Sequence, residues 1–261
     1  VFENISTGYG VEILKENAIG TWHLARYHGY VGFVGTANVS FDVSYAGKTY
    51  TGKIIWVSYA NVYDSVYSDK KALKQIPNGT EITVTTDYNK DWYKVTYDGV
   101  TGYVGVNNVF LKPTSKPTIT DTATVLVASA GFYTEPSSST GIRVELIPQG
   151  TQVEVVEANP GGWHKIYYNG YIGYVFSDHV PLDSQKAEGR VIVDQAKVYD
   201  STSSSKQVVK QLDQWTEVSF YKTSEDWYRG IFDGKTGYIS ADDVYLKATS
   251  KPTIKETGTV L

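Results

Sequence analysis

From Trp92 to Tyr97 the chain alternates, with Tyr93, Val95 and Tyr97 on one side and Trp92, Lys94 and Thr96 on the other. A period of two is that of a strand with one face in the core and one in water. Asp98-Gly99 follows. It is a tight-turn pair, because glycine accepts the positive φ such turns need. Gly102 then opens the return strand, with Tyr103 and Val104. Residues 92–104 therefore predict a β-hairpin, and Asn169-Gly170 and Asp233-Gly234 repeat its turn.

The skeleton of this hairpin is Trp92, Tyr97, Gly99, Gly102 and Tyr103. It recurs as Trp22, Tyr27, Gly29, Gly32, Phe33, as Trp163, Tyr168, Gly170, Gly173, Tyr174, and as Trp227, Phe232, Gly234, Gly237, Tyr238. The offsets from the Trp are 5, 7, 10 and 11 residues in each copy. Self-similarity this strict marks a repeat architecture. Upstream of three copies lie the same pieces: an opening stretch such as IIWVSYANVYDS, a polar loop, a run such as Ala72 to Pro77, and a turn such as Asn78-Gly79 or Gln149-Gly150. The longest apolar candidate, Thr124 to Ala130, reads as one strand.

A Trp, a small or branched residue three on, two glycines, an aromatic and a closing Val strand resemble the second half of a Src-homology-3 barrel. The upstream order, NVYDS then ALKQIPNGTEITVTTDYNKDWYKVTYDGVTGYV, resembles the bacterial form of that repeat, SH3b, over almost the whole chain. The resemblance implies an all-β protein of tandem small SH3-like antiparallel β-barrels with no helix beyond short turns. Modules are expected at 1–42, 52–112, 124–182 and 190–247, with 248–261 a linker and the start of a further repeat. Gly8-Tyr9-Gly10-Val11 aligns with Gly150-Thr151-Gln152-Val153, so the first module lacks a counterpart of residues 125–149 and is incomplete at its N-terminus.

A second period runs through the first. Residues 111–126 and 246–261 differ at four positions and stand 135 residues apart, as do Trp92 and Trp227. Modules two and four share VYDS; modules one and three share Trp-His and Gly-Tyr. The organisation is A-B-A-B, joined by Pro-bearing linkers that favour extended connections.

Composition narrows the chemistry. With no Cys, thiolate zinc sites, disulfides and a Cys nucleophile are excluded. With no Met, residue 1 is not a translation start, and a processed piece of a longer protein, monomeric by itself, is expected. No apolar run approaches the ~18 residues of a membrane helix, so no membrane insertion is expected. A net charge of −4 counts against nucleic acid, which calls for a basic face.

No catalytic set stands out, and no metal or cofactor signature is present. His23 and His164 share one repeat position and read as packed core residues, while Asp242-Asp243 reads as a solvated turn. The 22 Tyr and the repeating Trp are the informative group. The SH3 resemblance puts the strand-opening Trp on a binding face beside aromatics of the first long loop. Carried over, the ligand-binding residues are Trp22, Trp92, Trp163 and Trp227, with loop partners Tyr63 and Tyr67, Tyr133, and Tyr199. Aromatic faces suit sugar rings and peptide backbone, because they offer flat apolar area at low entropic cost. The competing reading packs these Trp between modules. The bacterial pattern often carries an Arg where this chain has Tyr63, Tyr133 and Tyr199, which favours stacking.

The resemblance implies a non-enzymatic, extracellular cell-wall targeting array that holds peptidoglycan or a wall glycan, as in Gram-positive bacteria. A structural stalk or surface-layer segment is the alternative, with an α-glucan-binding region of a polysaccharide-making enzyme as a third. Val1 to Thr7 is expected to substitute for the missing strand of module one, with docking of the 254–261 tail of another molecule weak.

Overall fold

The computed structural model describes residues 11–27, 30–38, 47–86 and 91–248. Expectations for Val1 to Thr7 and for the 254–261 tail lie outside the described residues. Among those described, regular structure is antiparallel strand with five short 3-10 turns. The described residues fall in two compact units. One runs to Lys116 and includes Ile142–Val144 and Asn169–Ile172; the other holds the remainder.

Four sheets succeed one another. Sheet I holds β1 (Glu12–Ile19), β2 (Trp22–Tyr27) and β3 (Tyr30–Gly35). Sheet II holds β4 (Thr49–Ile54), β5 (Tyr59–Tyr63), β6 (Ala72–Pro77), β7 (Glu81–Thr86), β8 (Trp92–Tyr97), β9 (Val100–Gly105) and β10 (Val109–Leu111). Sheet III holds β11 (Asp121–Thr124), β12 (Ser129–Tyr133), β13 (Arg143–Pro148), β14 (Gln152–Glu157), β15 (Trp163–Tyr168) and β16 (Tyr171–Phe176). Sheet IV holds β17 (Lys186–Val191), β18 (Ala196–Tyr199), β19 (Val208–Leu212), β20 (Glu217–Lys222), β21 (Trp227–Phe232), β22 (Lys235–Ser240) and β23 (Val244–Leu246).

The strand order of sheet II, β10-β4-β7-β8-β9-β5-β6, is repeated by sheet IV as β23-β17-β20-β21-β22-β18-β19. Sheet III follows it without the first strand, whose place is marked by a single bridge between Ala123 and Leu182. Sheet III thus differs from sheets II and IV at one edge. Sheet I keeps the central three strands.

The central hairpin forms for local reasons. Asp98 and Gly99 both have positive φ, 48° and 77°, as do Asn169 with Gly170 and Asp233 with Gly234. Two successive left-handed residues make the turn whose twist matches antiparallel strands. Alternation then sorts the faces: Val95 is buried while Lys94 and Thr96 are exposed. Around it Ile54, Val62, Ile76, Val84 and Val104 close the core of sheet II, and Val198, Phe220, Phe232 and Ile239 that of sheet IV.

Gly102 lies inside β9 rather than opening it, since the strand starts at Val100. Its requirement is long-range. A Cβ there would meet the Tyr63 carbonyl oxygen at 2.2 Å and Val62 Cγ1 at 2.7 Å, where β5 crosses. Gly173 and Gly237 face the same crossing strand, whereas Gly32 in sheet I meets nothing within 4 Å.

The stretch Thr124 to Ala130 is not one strand. β11 ends at Thr124 and β12 starts at Ser129. Val125 and Leu126 between them are buried, yet the Val125 N–H donates to the Thr151 carbonyl and the Leu126 N–H to that of His179. Two partners on different segments bend the backbone through the core, so burial here reports a corner.

Candidate functional site

Trp92 opens β8 and Tyr63 closes β5, and β9 pairs with both strands. That places the two rings at one end of the sheet, edge to face at 5.6 Å between centroids and 88° between planes. Tyr133 and Trp163 repeat the pair at 5.3 Å and 84°, and Tyr199 and Trp227 at 5.7 Å and 86°. Edge-to-face packing sets the positive rim of one ring on the negative face of the other and leaves a corner of two π-faces. All six rings are half-buried. The Tyr residues are the last residues of strands, not loop residues as the sequence suggested, and their position is therefore set by sheet pairing.

Sheet I has, among the described residues, no strand equivalent to β5, so half-exposed Trp22 lacks a counterpart of Tyr63. Tyr67 lies half-buried in the β5–β6 loop, and its carbonyl accepts from the Lys70 N–H at 3.2 Å and from the Lys70 ammonium at 3.4 Å.

The sequence reading missed Lys70 and Lys206. The Lys70 ammonium lies 5.3 Å from the centroids of both Tyr63 and Trp92. Lys206 lies 5.2 Å from Tyr199 and 5.6 Å from Trp227. Both Lys stand seven residues after the corner Tyr, a periodicity visible in the sequence once the Tyr–Trp pairing is known. In sheet III the aromatic run extends instead, because Phe176 packs on Trp163 at 5.7 Å and His179 on Phe176 at 5.3 Å. Burial and the Arg229 guanidinium hold the His179 imidazole below its ordinary value, against the Asp178 carboxylate.

Trp56 and Trp215 were also passed over, because they lie outside the repeat skeleton. They are 66% and 60% exposed and have φ of 81° and 70°. Trp215 occupies the turn position that sheets II and III give to Gly79 and Gly150. Its N–H donates to the Val191 carbonyl at 2.8 Å, just as Gly79 bonds Ile54 and Gly150 bonds Val125.

His23 and His164 are both buried in their sheets. His164 Nδ1 accepts from the Asn159 N–H at 2.9 Å, and burial lowers its pKa, the Asp121 carboxylate opposing. Asp242 and Asp243 occupy a 3-10 turn after β22. Among the described residues no group of three His, Cys, Asp or Glu is placed to hold a metal ion, and no helix is long and apolar enough to cross a membrane.

The bacterial SH3 domain family matches residues 58–112 and 129–181, the segments that carry the first two corners. Those two segments carry bacterial SH3 domains, one after the other. In its SH3 regions it is similar to proteins named probable endopeptidase p60. The protein of Listeria innocua is 37% identical over 68 residues, 26% of this chain and 15% of that protein. The protein of Listeria monocytogenes is 30% identical over 114 residues, 43% of this chain and 23% of that protein. The matches therefore span less than a quarter of these curated relatives. Among solved structures, NlpC1 from Trichomonas vaginalis aligns over 79% of this chain and 96% of its own at 13% identity, with a TM-score of 0.22. NlpC2 from the same organism aligns over 77% and 96% at 12% identity and the same score. At that score the likeness carries no argument.

Proposed function

We propose that these SH3 domains form a non-catalytic array that holds a secreted bacterial protein on its cell wall, with peptidoglycan or an associated glycan as ligand. The observation that supports it is the Tyr–Trp corner, built three times with nearly constant geometry and with all six rings half-buried. Two π-faces at right angles accept the flat apolar sides of peptide or sugar. Weak sites suffice when they are linked, because each later contact is made at high effective concentration. The p60 relatives, similar only in this region, are named as endopeptidases. Such an array would serve as the targeting part of a larger protein. Modules at 52–112, 124–182 and 190–247, each with a corner, are its binding units, and module 1–42 precedes them.

The stalk reading draws on one specific observation. Sheet IV donates hydrogen bonds to the turns that follow sheet III, Tyr221 to Asp183 and Arg229 to the Asp178 carbonyl, both 2.7 Å. These bonds leave the corner Trp residues half-exposed, so packing between sheets and binding at the corners are compatible.

The test is a pull-down on purified sacculi. Replacing Trp92, Trp163 and Trp227 together by Ala should abolish retention while the far-ultraviolet signature of the strands persists. Wild-type retention by a folded triple variant overturns the corner assignment. Release of muropeptides by the purified chain would overturn the non-catalytic part.

A further inference from the structure

The three corners are alike in geometry and unlike in what fills them. In sheets II and IV a lysine ammonium sits over both rings, at 5.2 to 5.6 Å from every centroid. The loop delivers it. Asp64 Oδ1 accepts from the Lys71 N–H at 2.8 Å, and Asp200 Oδ1 accepts from the Gln207 N–H at 2.9 Å. The backbone closes the same clamp, from Asp64 N–H to Lys71 carbonyl at 3.1 Å and from Asp200 N–H to Gln207 carbonyl at 3.0 Å. An Asp directly after the corner Tyr thus positions a Lys six residues further on.

Sheet III has neither residue: Thr134 follows Tyr133, and Thr140 stands where Lys70 and Lys206 stand. Its loop is tied differently. Ser137 Oγ accepts from the Ser139 and Thr140 N–H groups at 3.2 and 3.1 Å, and the Thr140 hydroxyl donates to Glu135 Oε2 at 3.3 Å. The corner itself is unchanged, and Phe176, where sheets II and IV have Gly105 and Ser240, widens its aromatic wall. A carboxylate, Glu135, lies one hydrogen bond from the position the Lys would take.

We infer that the Tyr133–Trp163 corner receives a primary ammonium from the ligand, while Lys70 and Lys206 fill the other two corners from within the chain. A cation over aromatic faces gains from the ring quadrupoles, and a corner presents two at once. The repeated internal ammonium shows which chemistry the corner fits. This inference rests on the wall-binding reading and narrows its ligand to an amine, from either a peptide side chain or an amino sugar.

The experiment follows the six indole N–H signals of the full chain by NMR during titration with Nα-acetyl-lysine amide and, separately, glucosamine. Trp163 should shift with at least one amine and with neither N-acetylated form; which amine acts identifies the source. Trp92 and Trp227 should stay still in wild type, and each should respond when Lys70→Thr or Lys206→Thr opens its corner. Thr140→Lys should weaken the Trp163 response about fivefold or more, the order expected for one cation–π contact. A silent Trp163, equal response of all three corners in wild type, or an unaffected Thr140→Lys variant overturns the inference. Sacculi with acetylated amino groups separate the two levels. If Trp163→Ala abolishes retention while amino blocking and Thr140→Lys change nothing, the ammonium inference fails and wall binding stands. If no Trp variant affects retention, the wall-binding reading itself fails.

Discussion

The Tyr221 hydroxyl on β20 donates to Asp183 Oδ1 at 2.7 Å, tying sheet IV to the turn that follows sheet III. Asp183 also accepts from the hydroxyls of Thr122 and Thr124 and from Gln152 Nε2, each at 2.7 Å. Burial opposes the charged carboxylate and the four donors outweigh it, so its pKa lies below the ordinary value. Burial, then the bond to Asp183, pushes the Tyr221 phenol well above its own. Asp183→Asn leaves donors facing an amide and should cost about 2–3 kcal/mol, allowing for partial exposure. Tyr221→Phe should cost about 1 kcal/mol. Denaturant unfolding measures both. Because the folded pKa is depressed, this stabilisation is present above the ordinary carboxylate pKa and fades as pH falls through the folded value. Wild type should therefore lose stability in acid that Asp183→Asn does not.

His164 gives a second pH dependence, at milder acidity. Burial lowers its pKa, and its Nδ1 must stay unprotonated to accept from the Asn159 N–H. A base whose folded pKa is depressed contributes fully above the unfolded pKa, and that stability is lost as pH drops below about 6.5 toward the folded value. His164→Gln, which keeps an acceptor and cannot titrate, should flatten this part of the stability profile. An unchanged slope would assign it to another group.

Trp215→Gly should raise the thermal midpoint. A bulky residue at φ 70° is strained, and two sister turns place Gly there at 79° and 77°. Relief of left-handed strain outweighs the extra unfolded-state entropy of glycine by up to about 1 kcal/mol. A lower midpoint would show that the exposed indole stabilises through packing.

Gly102→Ala and Gly32→Ala should behave oppositely. The first drives a methyl into the Tyr63 carbonyl and Val62, so β5 must move off β9 and take Tyr63 away from Trp92. Overpacking of this kind costs about 1–3 kcal/mol. The second meets nothing within 4 Å and should be nearly neutral. Unfolding curves, with the Trp92 indole signal as reporter of the corner, distinguish them.

The hairpins, their turns and the repeat were legible in the sequence because each depends on residues close in the chain. Alternation assigned Val95 to the core, and Asp98-Gly99 set the turn, with no help from elsewhere. The A-B alternation was legible too, as a 135-residue period, although the edge strand that separates sheet III from sheets II and IV was not. Only the tertiary structure brought Tyr63 to Trp92, since that contact needs β9 to pair with β5 and β8 together. It also placed Lys70 and Lys206 over the corners, through loop closures that composition does not reveal. Val125 and Leu126 looked like strand because they are apolar, yet burial selects apolar residues at a corner as readily as in a ladder. Trp215 lies outside the repeat skeleton, and only the backbone shows its positive φ. Local periodicity specifies elements; long-range pairing decides which side chains meet, and the binding chemistry of this chain lies in those meetings.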